Sequence, residues 1–165
     1  HAERPNQKWV TDVTEFSLFG QKLYLSPVLD LHNGYLVSYA ISDRPVLSMV
    51  TTMLTKAFET IPDATGLVLH SDQGWQYQHK QYQRMLRVKG IRQSMSRKGN
   101  CLDNAVMENF FGILKQEIYY GKVYYSYEEL KQAIIKYIDY YNNKRIKQKL
   151  GWLSPVEYRI NALVA

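Results

Sequence analysis

The sequence predicts an α/β protein in which strands and amphipathic helices alternate along one chain. Three strand patterns come first, and Asn33-Gly34 joins the second to the third as a tight hairpin, because both residues tolerate positive φ. A helical pattern then leads into Leu67-Val68-Leu69, a run so apolar that it fits a strand buried on both faces of a sheet. Helical patterns fill most of the remaining chain.

The first strand is predicted over Lys8 to Phe16, a stretch rich in β-branched and aromatic residues. Alternation places Asp12 in the middle of this strand, on a face shared with Val10 and Thr14. Acidic residues are depleted from strands, and an unpaired buried carboxylate is costly, so we expect a cation near Asp12. The simplest source of that charge is a nearby Lys or Arg.

Two further strands are predicted over residues 23–29 and 35–41, which makes the first three strands an antiparallel meander. Asp30 and His32, between them, are interpreted as turn residues and not as part of a site. A helix is expected to open at Ser42-Asp43-Arg44-Pro45, where an acceptor side chain and a proline suit a helix start.

Asp72 comes directly after the buried strand, in the stretch His70-Ser71-Asp72-Gln73-Gly74. Side chains at the carboxyl end of such a strand point into the crevice where α/β proteins place their sites. Gly74 allows the chain to turn away sharply. Trp75 and Tyr77 follow, and fit either platforms for a sugar or base or caps on the core.

A helix is then predicted over His79 to Lys89, with Gly90 as its C-cap, and a short edge strand over Ile91 to Met95. The next residues, 96–100, are polar, basic and contain glycine, which is typical of a mobile loop. A loop of this kind beside a site can close over a long substrate.

The stretch from Asn104 to Glu117 predicts a helix whose apolar stripe begins at Met107 and recurs at steps of three and four residues. Asn104, Glu108 and Lys115 line the flank of that stripe, because steps of four and seven residues return close to the same azimuth. An ordinary amphipathic helix also explains this pattern. The functional interpretation of this helix depends on two aspartates upstream, Asp12 and Asp72.

Two more helices are predicted near the end of the chain. The first starts from a capping box at Ser126-Tyr127-Glu128-Glu129, and the second, shorter one starts at Ser154-Pro155. Lys144 and Arg145 lie between them in a basic cluster. This cluster fits either a solvated helix end or a contact to phosphate.

Composition favours one globular domain over residues 1–165 with a polyanionic partner. The formal net charge is +6, and the 14 tyrosines offer faces that can stack on bases. The single cysteine excludes an internal disulfide, and the four histidines show no zinc-ligand spacing. No apolar run approaches the roughly 18 residues of a membrane span, and the first residues lack a signal-peptide core, so we expect a cytoplasmic protein.

Asp12, Asp72 and Glu108 converge if their two strands are neighbours and the helix packs across them. Three crowded carboxylates raise one another's pKa unless a cation neutralises them, and Mg²⁺ prefers oxygen ligands of this kind. Two such ions about 3.5–4 Å apart can activate a hydroxyl and stabilise the leaving oxygen in phosphoryl transfer. A nucleic-acid backbone is the matching substrate for a basic domain.

The spacing of these acids resembles that in the catalytic core of bacterial insertion-sequence transposases, which are similar to retroviral integrases. Thirty-five residues separate Asp72 from Glu108, and Lys115 follows Glu108 by seven. The resemblance covers about residues 7–159. It also rests on the motifs Thr11-Asp12, His70-Ser71-Asp72-Gln73-Gly74 and Asn104-Ala105, and on the tail pattern Tyr141-Asn142, Arg145, Leu150-Gly151, Ser154-Pro155 and Tyr158.

The resemblance implies an RNase H-like fold, with a five-stranded mixed sheet whose first three strands are antiparallel, flanked by helices. It implies that Asp12, Asp72 and Glu108 hold two Mg²⁺ or Mn²⁺ ions, with Asp12 bridging them. The implied reaction is nicking at transposon ends, followed by strand transfer of a 3′-hydroxyl into target DNA. Two departures, Gln73 for a frequent Asn and Lys147 for a frequent His, leave the implied metal ligands intact.

The resemblance also implies contacts to DNA. Lys115 matches a basic position that contacts DNA near the cleaved end in integrases, and Asn104 is expected to orient Glu108 or a phosphate. Further expected contacts are Arg97, Lys98, Trp75, Lys144 and Arg145. The implied partners are transposon-end and target DNA within a homodimer or larger assembly, in the nucleoid of a bacterial cytoplasm. We expect the family's N-terminal helix-turn-helix region to be missing from this chain, and DNA binding to be weak with little sequence preference.

Two other functions fit the same residues less well. An inactive or domesticated DNA-binding module is favoured by a broken acidic triad, whereas all three acids are present here. Another RNase H-like nuclease, such as a ribonuclease H or a junction resolvase, usually needs a fourth acid. Those nucleases also lack the pattern of Asn104, Glu108 and Lys115.

Overall fold

The computed structural model describes residues 2–63, 66–96 and 105–164 of the chain. Strands from these residues form a mixed sheet. In chain order they are β1 (Lys8–Thr11), β2 (Thr14–Leu18), β3 (Gln21–Asp30), β4 (Leu36–Ser42), β5 (Val68–Ser71) and β6 (Arg92–Met95).

Strand β3 is the centre of the antiparallel half of the sheet. It pairs with β1 and β2 along one edge and with β4 along the other. Strand β5 runs parallel to β1, and β6 runs parallel to β5. The antiparallel meander is therefore confirmed. Because β1 and β2 lie end to end along the same edge of β3, the six strand segments occupy five places across the sheet, as predicted.

The first strand is interrupted at Asp12 and Val13, so the prediction of one continuous strand over residues 8–16 is wrong. The register is the same on both sides of the break and places Asp12 opposite Pro27. Proline has no N–H to donate to a neighbouring strand. The N–H of Val13 donates to Oδ1 of Asp12, at 2.8 Å. Asp12 thus lies at a break between two strand segments.

Helices cover both faces of the sheet. They are α1 (Leu47–Phe58), α2 (Trp75–Gln78), α3 (Lys80–Lys89), α4 (Ala105–Ile118), α5 (Tyr127–Asn143) and α6 (Pro155–Val164). The neighbours Trp9 and Val10 on β1 show the two layers: Trp9 belongs to the core under α1 and α3, and Val10 to the core under α4 and α5. Across the described ranges, no helix combines the length and apolarity needed to cross a membrane.

The predicted helix ends are confirmed in three places and wrong in one. Gly90 closes α3 with a φ of 83°, and Ser126 caps α5 by accepting the N–H of Glu129 at 3.1 Å. Ser154 precedes α6, which begins at Pro155, and accepts the N–H of Glu157 at 3.2 Å. Helix α1, in contrast, begins at Leu47 without a side-chain cap. The hydroxyl of Ser42 instead accepts the N–H of Arg44 in a local turn that precedes the helix.

Asp30 is more than the turn residue that the sequence suggested. It ends β3 fully buried, and its Oδ2 accepts hydrogen bonds from Arg159 Nη1 at 2.6 Å and from Asn6 N–H at 2.8 Å. Its Oδ1 accepts the N–H of His32 at 2.9 Å, as a turn residue would. Helix α6 is fastened to the sheet through this carboxylate.

Candidate active site

Asp12 lies half-buried at the break between β1 and β2. The pKa of its carboxyl group is raised to about 6, chiefly by burial, and the hydrogen bond from Val13 partly opposes this rise. The negative charges of Asp72 and Glu108 contribute to the same rise. Both carboxylates are therefore close enough to disfavour the charged form of Asp12.

Asp72 follows the last residue of β5, the strand that runs parallel to β1, and so lies at the strand end where it was expected. Its Oδ1 accepts the N–H of Gly74 at 2.8 Å, which holds the carboxylate on the turn leading to α2. A Cβ atom at Gly74 would lie 3.0 Å from the same oxygen. Glycine at this position leaves the space that the Asp72 carboxylate occupies.

Glu108 lies on α4 next to the stripe that holds this helix on the sheet. Met107, Phe110 and Leu114 are buried, which confirms the predicted apolar stripe, whereas Glu108 is exposed. The side chain extends from the edge of the packed face. Its charge acts on Asp12, so α4 brings Glu108 to the same end of the site.

The three carboxylates share one electrostatic environment but are not tightly gathered. Within residues 2–63, 66–96 and 105–164, no three His, Cys, Asp or Glu side chains are grouped closely enough to hold a metal ion. The ion pairs in the same ranges do not include Asp12, so the expected Lys or Arg partner is not found there. Repelling carboxylates without a basic partner favour the binding of a cation.

Lys115 is directed toward β2. Its Nζ donates a hydrogen bond to the carbonyl oxygen of Glu15 at 2.9 Å and lies 5.1 Å from the centre of the Phe16 ring. Desolvation lowers the pKa of Lys115, and the charge of Glu15 opposes this shift. The ammonium group predicted to contact DNA is thus already engaged with the strand that follows Asp12.

Tyr119, one helical turn after Lys115, contacts the same strand, although nothing in its local sequence singled it out. Its hydroxyl accepts the N–H of Ser17 at 2.9 Å and donates to the carbonyl oxygen of Ser17 at 3.0 Å. The spacing of four residues from Lys115 is the sequence signal that could have paired the two side chains.

The aromatic residues after Asp72 have different environments. Trp75 is 54% exposed at the start of α2 and is available as a platform for a base or sugar. Tyr77 is buried and packs edge-on against Tyr82 with ring centres 5.3 Å apart. Tyr77 therefore belongs to the core and is not a surface platform.

The basic residues after α5 differ in their freedom to bind an anion. Lys144 is exposed and forms no ion pair within the described part of the chain. Arg145 is bound to Glu117, with Nε and Nη2 each 3.0 Å from Oε1. Lys147 donates to the hydroxyl of Tyr141 at 2.8 Å, and burial lowers the pKa of Lys147 to about 8.

Three of the residues predicted to act at the site, Asn104, Arg97 and Lys98, lie outside the described residues. The loop expected over residues 96–100 also lies outside the described residues, apart from Ser96. Their assignment remains a prediction from the sequence.

Comparison with protein families gives two adjoining matches. A model described as "Integrase core domain" matches residues 2–101, and a second model with the same description matches residues 108–163. Together they span the three carboxylates and both layers of helices.

Two relatives are similar along nearly the whole chain. A protein assigned as transposase InsK for insertion sequence element IS150 of Escherichia coli is 58% identical over 158 residues, which are 96% of this chain and 56% of that protein. An uncharacterized transposase-like protein of Haemophilus influenzae is 51% identical over 162 residues, which are 98% of this chain and 74% of that protein. The chain spans about half the length of the InsK protein.

Two solved structures have the same fold. A chain in the structure of the simian T-cell lymphotropic virus intasome in complex with PP2A regulatory subunit B56 gamma has a TM-score of 0.78 at 19% identity, and the match covers 96% of this chain and 57% of that one. The HTLV-2 integrase catalytic core domain in complex with magnesium has a TM-score of 0.74 at 16% identity, with coverage of 96% and 99%. The fold is the RNase H-like fold of retroviral integrase cores, as expected.

Proposed function

The chain belongs to the integrase core domain family, and on this premise we propose that it is the catalytic core of a bacterial insertion-sequence transposase. The proposed activity is DNA transposition: nicking at transposon ends, then strand transfer. In strand transfer the oxygen of a 3′-hydroxyl forms a new bond to phosphorus in target DNA, while the bond from that phosphorus to its neighbouring 3′-oxygen breaks. We assign the chemistry to one domain over residues 1–165.

The observation that carries the proposal is the electrostatic environment of Asp12. Burial and two neighbouring carboxylates raise its pKa, and no Lys or Arg within the described ranges pairs with it. A bound cation relieves this repulsion at neutral pH, where Asp12 is ionised, and a set of carboxylate oxygens suits Mg²⁺ or Mn²⁺ better than softer metals. Glu108 is exposed, so its side chain has room to move toward Asp12.

We propose that Asp12, Asp72 and Glu108 would hold Mg²⁺, two ions in number and replaceable by Mn²⁺. Ions bound there would activate the attacking hydroxyl and stabilise the leaving oxygen. The chain's own contribution is to hold the ligands. The N–H groups of Val13 and Gly74 each bind one carboxylate oxygen and restrict the rotation of Asp12 and Asp72. Asp12 must also lose its proton before it can bind a cation.

DNA is the proposed substrate and partner. The net charge of +6 favours a polyanion, and the exposed Trp75 and Lys144 offer a stacking surface and a phosphate contact. Joining two transposon ends requires at least two active sites, so we propose a dimer or larger assembly on DNA. The corresponding location is the nucleoid of the bacterial cytoplasm.

The proposal is tested by strand transfer with labelled terminal-repeat DNA that carries a free 3′-hydroxyl, in Mg²⁺ or Mn²⁺. Wild-type protein is expected to give joined products, and Glu108→Gln, which removes one charge at nearly constant volume, is expected to give none. Equal DNA binding by both proteins serves as the control. If folded wild-type protein binds DNA but neither nicks nor joins it in either metal, the chain is a DNA-binding module without this activity.

A further inference from the structure

Strand β2 has one edge that no other strand covers in the described part of the chain. It pairs with β3 on one side, whereas β5 runs beside β1 only and ends at Ser71, before the chain diverges at Asp72. An uncovered edge presents backbone groups that need hydrogen-bond partners. This edge begins immediately after Asp12.

Two side chains supply partners for that edge: Lys115 on α4 and Tyr119, the first residue after α4. Lys115 binds the carbonyl oxygen of Glu15, and the hydroxyl of Tyr119 binds both the N–H and the carbonyl oxygen of Ser17. The ring of Tyr119 also packs edge-on against Phe16, with centres 5.1 Å apart. We call these five residues the α4–β2 clasp.

The distance from Glu108 to Lys115 along the helix is close to the distance from Asp12 to Glu15 along the strand. Lys115 follows Glu108 by seven residues, about 10.5 Å along a helix, and Glu15 follows Asp12 by three, about 10 Å along a strand. The next step is also matched, because four helical residues advance about 6 Å and two strand residues about 6.6 Å. Equal distances along the helix and the strand therefore separate the two carboxylates from both contacts, Lys115 with Glu15 and Tyr119 with Ser17.

From this match we propose that the α4–β2 clasp positions Glu108 relative to Asp12, and that Lys115 and Tyr119 are positioning residues of the active site. The inference rests on the proposed function, since it concerns the distance between two proposed metal ligands. It gives Lys115 a role beside the expected DNA contact. In the chain without DNA, the ammonium group holds α4 on β2.

The variant Tyr119→Phe tests the clasp with little other change. It removes both hydrogen bonds to Ser17 and keeps the ring that packs on Phe16. Tyr120→Phe is the matched control, because the Tyr120 side chain is 58% exposed and its hydroxyl makes no hydrogen bond within the described ranges. Lys115→Met is a second test, since it removes the bond to Glu15 and keeps most of the aliphatic stem.

The first measurement is Mn²⁺ affinity, read from the electron paramagnetic resonance signal of free Mn²⁺ during titration of each protein. We expect Tyr119→Phe and Lys115→Met to bind Mn²⁺ about tenfold more weakly, within the range for groups that orient metal ligands. Tyr120→Phe should match the wild type. Thermal unfolding of each variant without metal establishes that it is folded.

The second measurement separates kcat from KM for Mn²⁺-dependent nicking of plasmid DNA. A positioning role lowers kcat of Tyr119→Phe and leaves the KM for DNA unchanged. Wild-type Mn²⁺ affinity and kcat in both clasp variants would overturn the inference, as would a rise in KM alone for Lys115→Met. If wild-type protein itself neither binds Mn²⁺ nor nicks DNA, the proposed function fails instead.

Discussion

The guanidinium group of Arg159 lies 2.6 Å from the carboxylate of Asp30 and joins α6 to the end of β3 across 129 residues of the chain. Asp30 has no exposed side-chain surface, and Arg159 has 12%. A second guanidinium nitrogen binds Oδ1 of Asn6 at 2.6 Å, so the N-terminal segment is held by the same group. The pair therefore links three distant parts of the fold.

Removing one member of this pair leaves the other charge buried without its partner. We expect Arg159→Met to lower the free energy of unfolding by about 3 kcal/mol, as for other broken buried pairs. Urea unfolding measures this loss. The control is Lys22→Met, which breaks an exposed pair with Glu15 and should cost less than about 1 kcal/mol. Similar small losses in both variants would show that the Arg159 pair does not hold α6.

The pKa of Asp12 predicts how the stability of the metal-free chain depends on pH. The folded-state pKa is about 6, compared with an ordinary value of 3.8, so the folded chain binds more protons than the unfolded chain between these values. The free energy of unfolding should then fall by up to about 3 kcal/mol as pH rises from about 4 to about 7.

The variant Asp12→Asn should remove most of this pH-dependent fall, because the amide does not titrate. Chemical unfolding of both proteins at several pH values in a metal chelator gives the comparison. Adding Mg²⁺ at neutral pH should restore stability to the wild type more than to Asp12→Asn. Parallel pH profiles for the two proteins would be inconsistent with a raised pKa at Asp12.

Gly74 provides a test of the space around Asp72. An added methyl group would lie 3.0 Å from Oδ1 of Asp72 and 3.4 Å from the ring of Tyr77. We expect Gly74→Ala to displace the carboxylate and to weaken Mn²⁺ binding about tenfold, with a much smaller effect on unfolding. Calorimetric titration with Mn²⁺ measures the change.

The matched control is Gly112→Ala on α4, where no atom outside the local helix backbone and the two neighbouring residues lies within 4 Å of the added methyl group. It should leave Mn²⁺ binding unchanged and raise the free energy of unfolding by about 0.5–1 kcal/mol, because alanine is the better helix former. If Gly74→Ala binds Mn²⁺ as the wild type does, the Asp72 carboxylate is not confined by this turn.

The basic residues after α5 should contribute unequally to DNA binding. Lys144 is exposed, whereas Arg145 is bound to Glu117. We expect Lys144→Gln to reduce the slope of log affinity against log salt by about 1, and Arg145→Gln to change it less. Fluorescence anisotropy with duplex DNA at several salt concentrations measures both slopes. Equal reductions would indicate that Arg145 leaves Glu117 to bind phosphate.

Local patterns predicted most of the elements, and together with the family resemblance they singled out three acids as candidate site residues. Asp12 stood out because carboxylates are rare in strands, and Asp72 because it follows an apolar run. The break at Asp12 was missed, since it depends on Pro27 in the opposite strand and therefore on register. Register between strands is set by the folded sheet and cannot be read from one strand alone.

Contacts between distant residues were also missed. Asp30 precedes Asn33-Gly34 and was taken for a turn residue, while its partner Arg159 lies in a helix 129 residues later. Tyr119 lies just after the helix predicted over Asn104 to Glu117, and only its approach to the edge of β2 gives it a role. Pairings of this kind follow from tertiary packing. The four-residue spacing of Lys115 and Tyr119 predicts that the two side chains share a helix face, but it does not predict which strand they contact.

The most direct test of the central claim is the anomalous diffraction of crystals soaked in Mn²⁺. We expect strong anomalous peaks in direct contact with carboxylate oxygens of Asp12, with Asp72 and Glu108 as the other protein ligands. The same peaks should be absent from Asp12→Asn crystals. Manganese bound elsewhere, or no peak beside Asp12 at saturating Mn²⁺, would contradict the assignment of these three carboxylates to a metal centre.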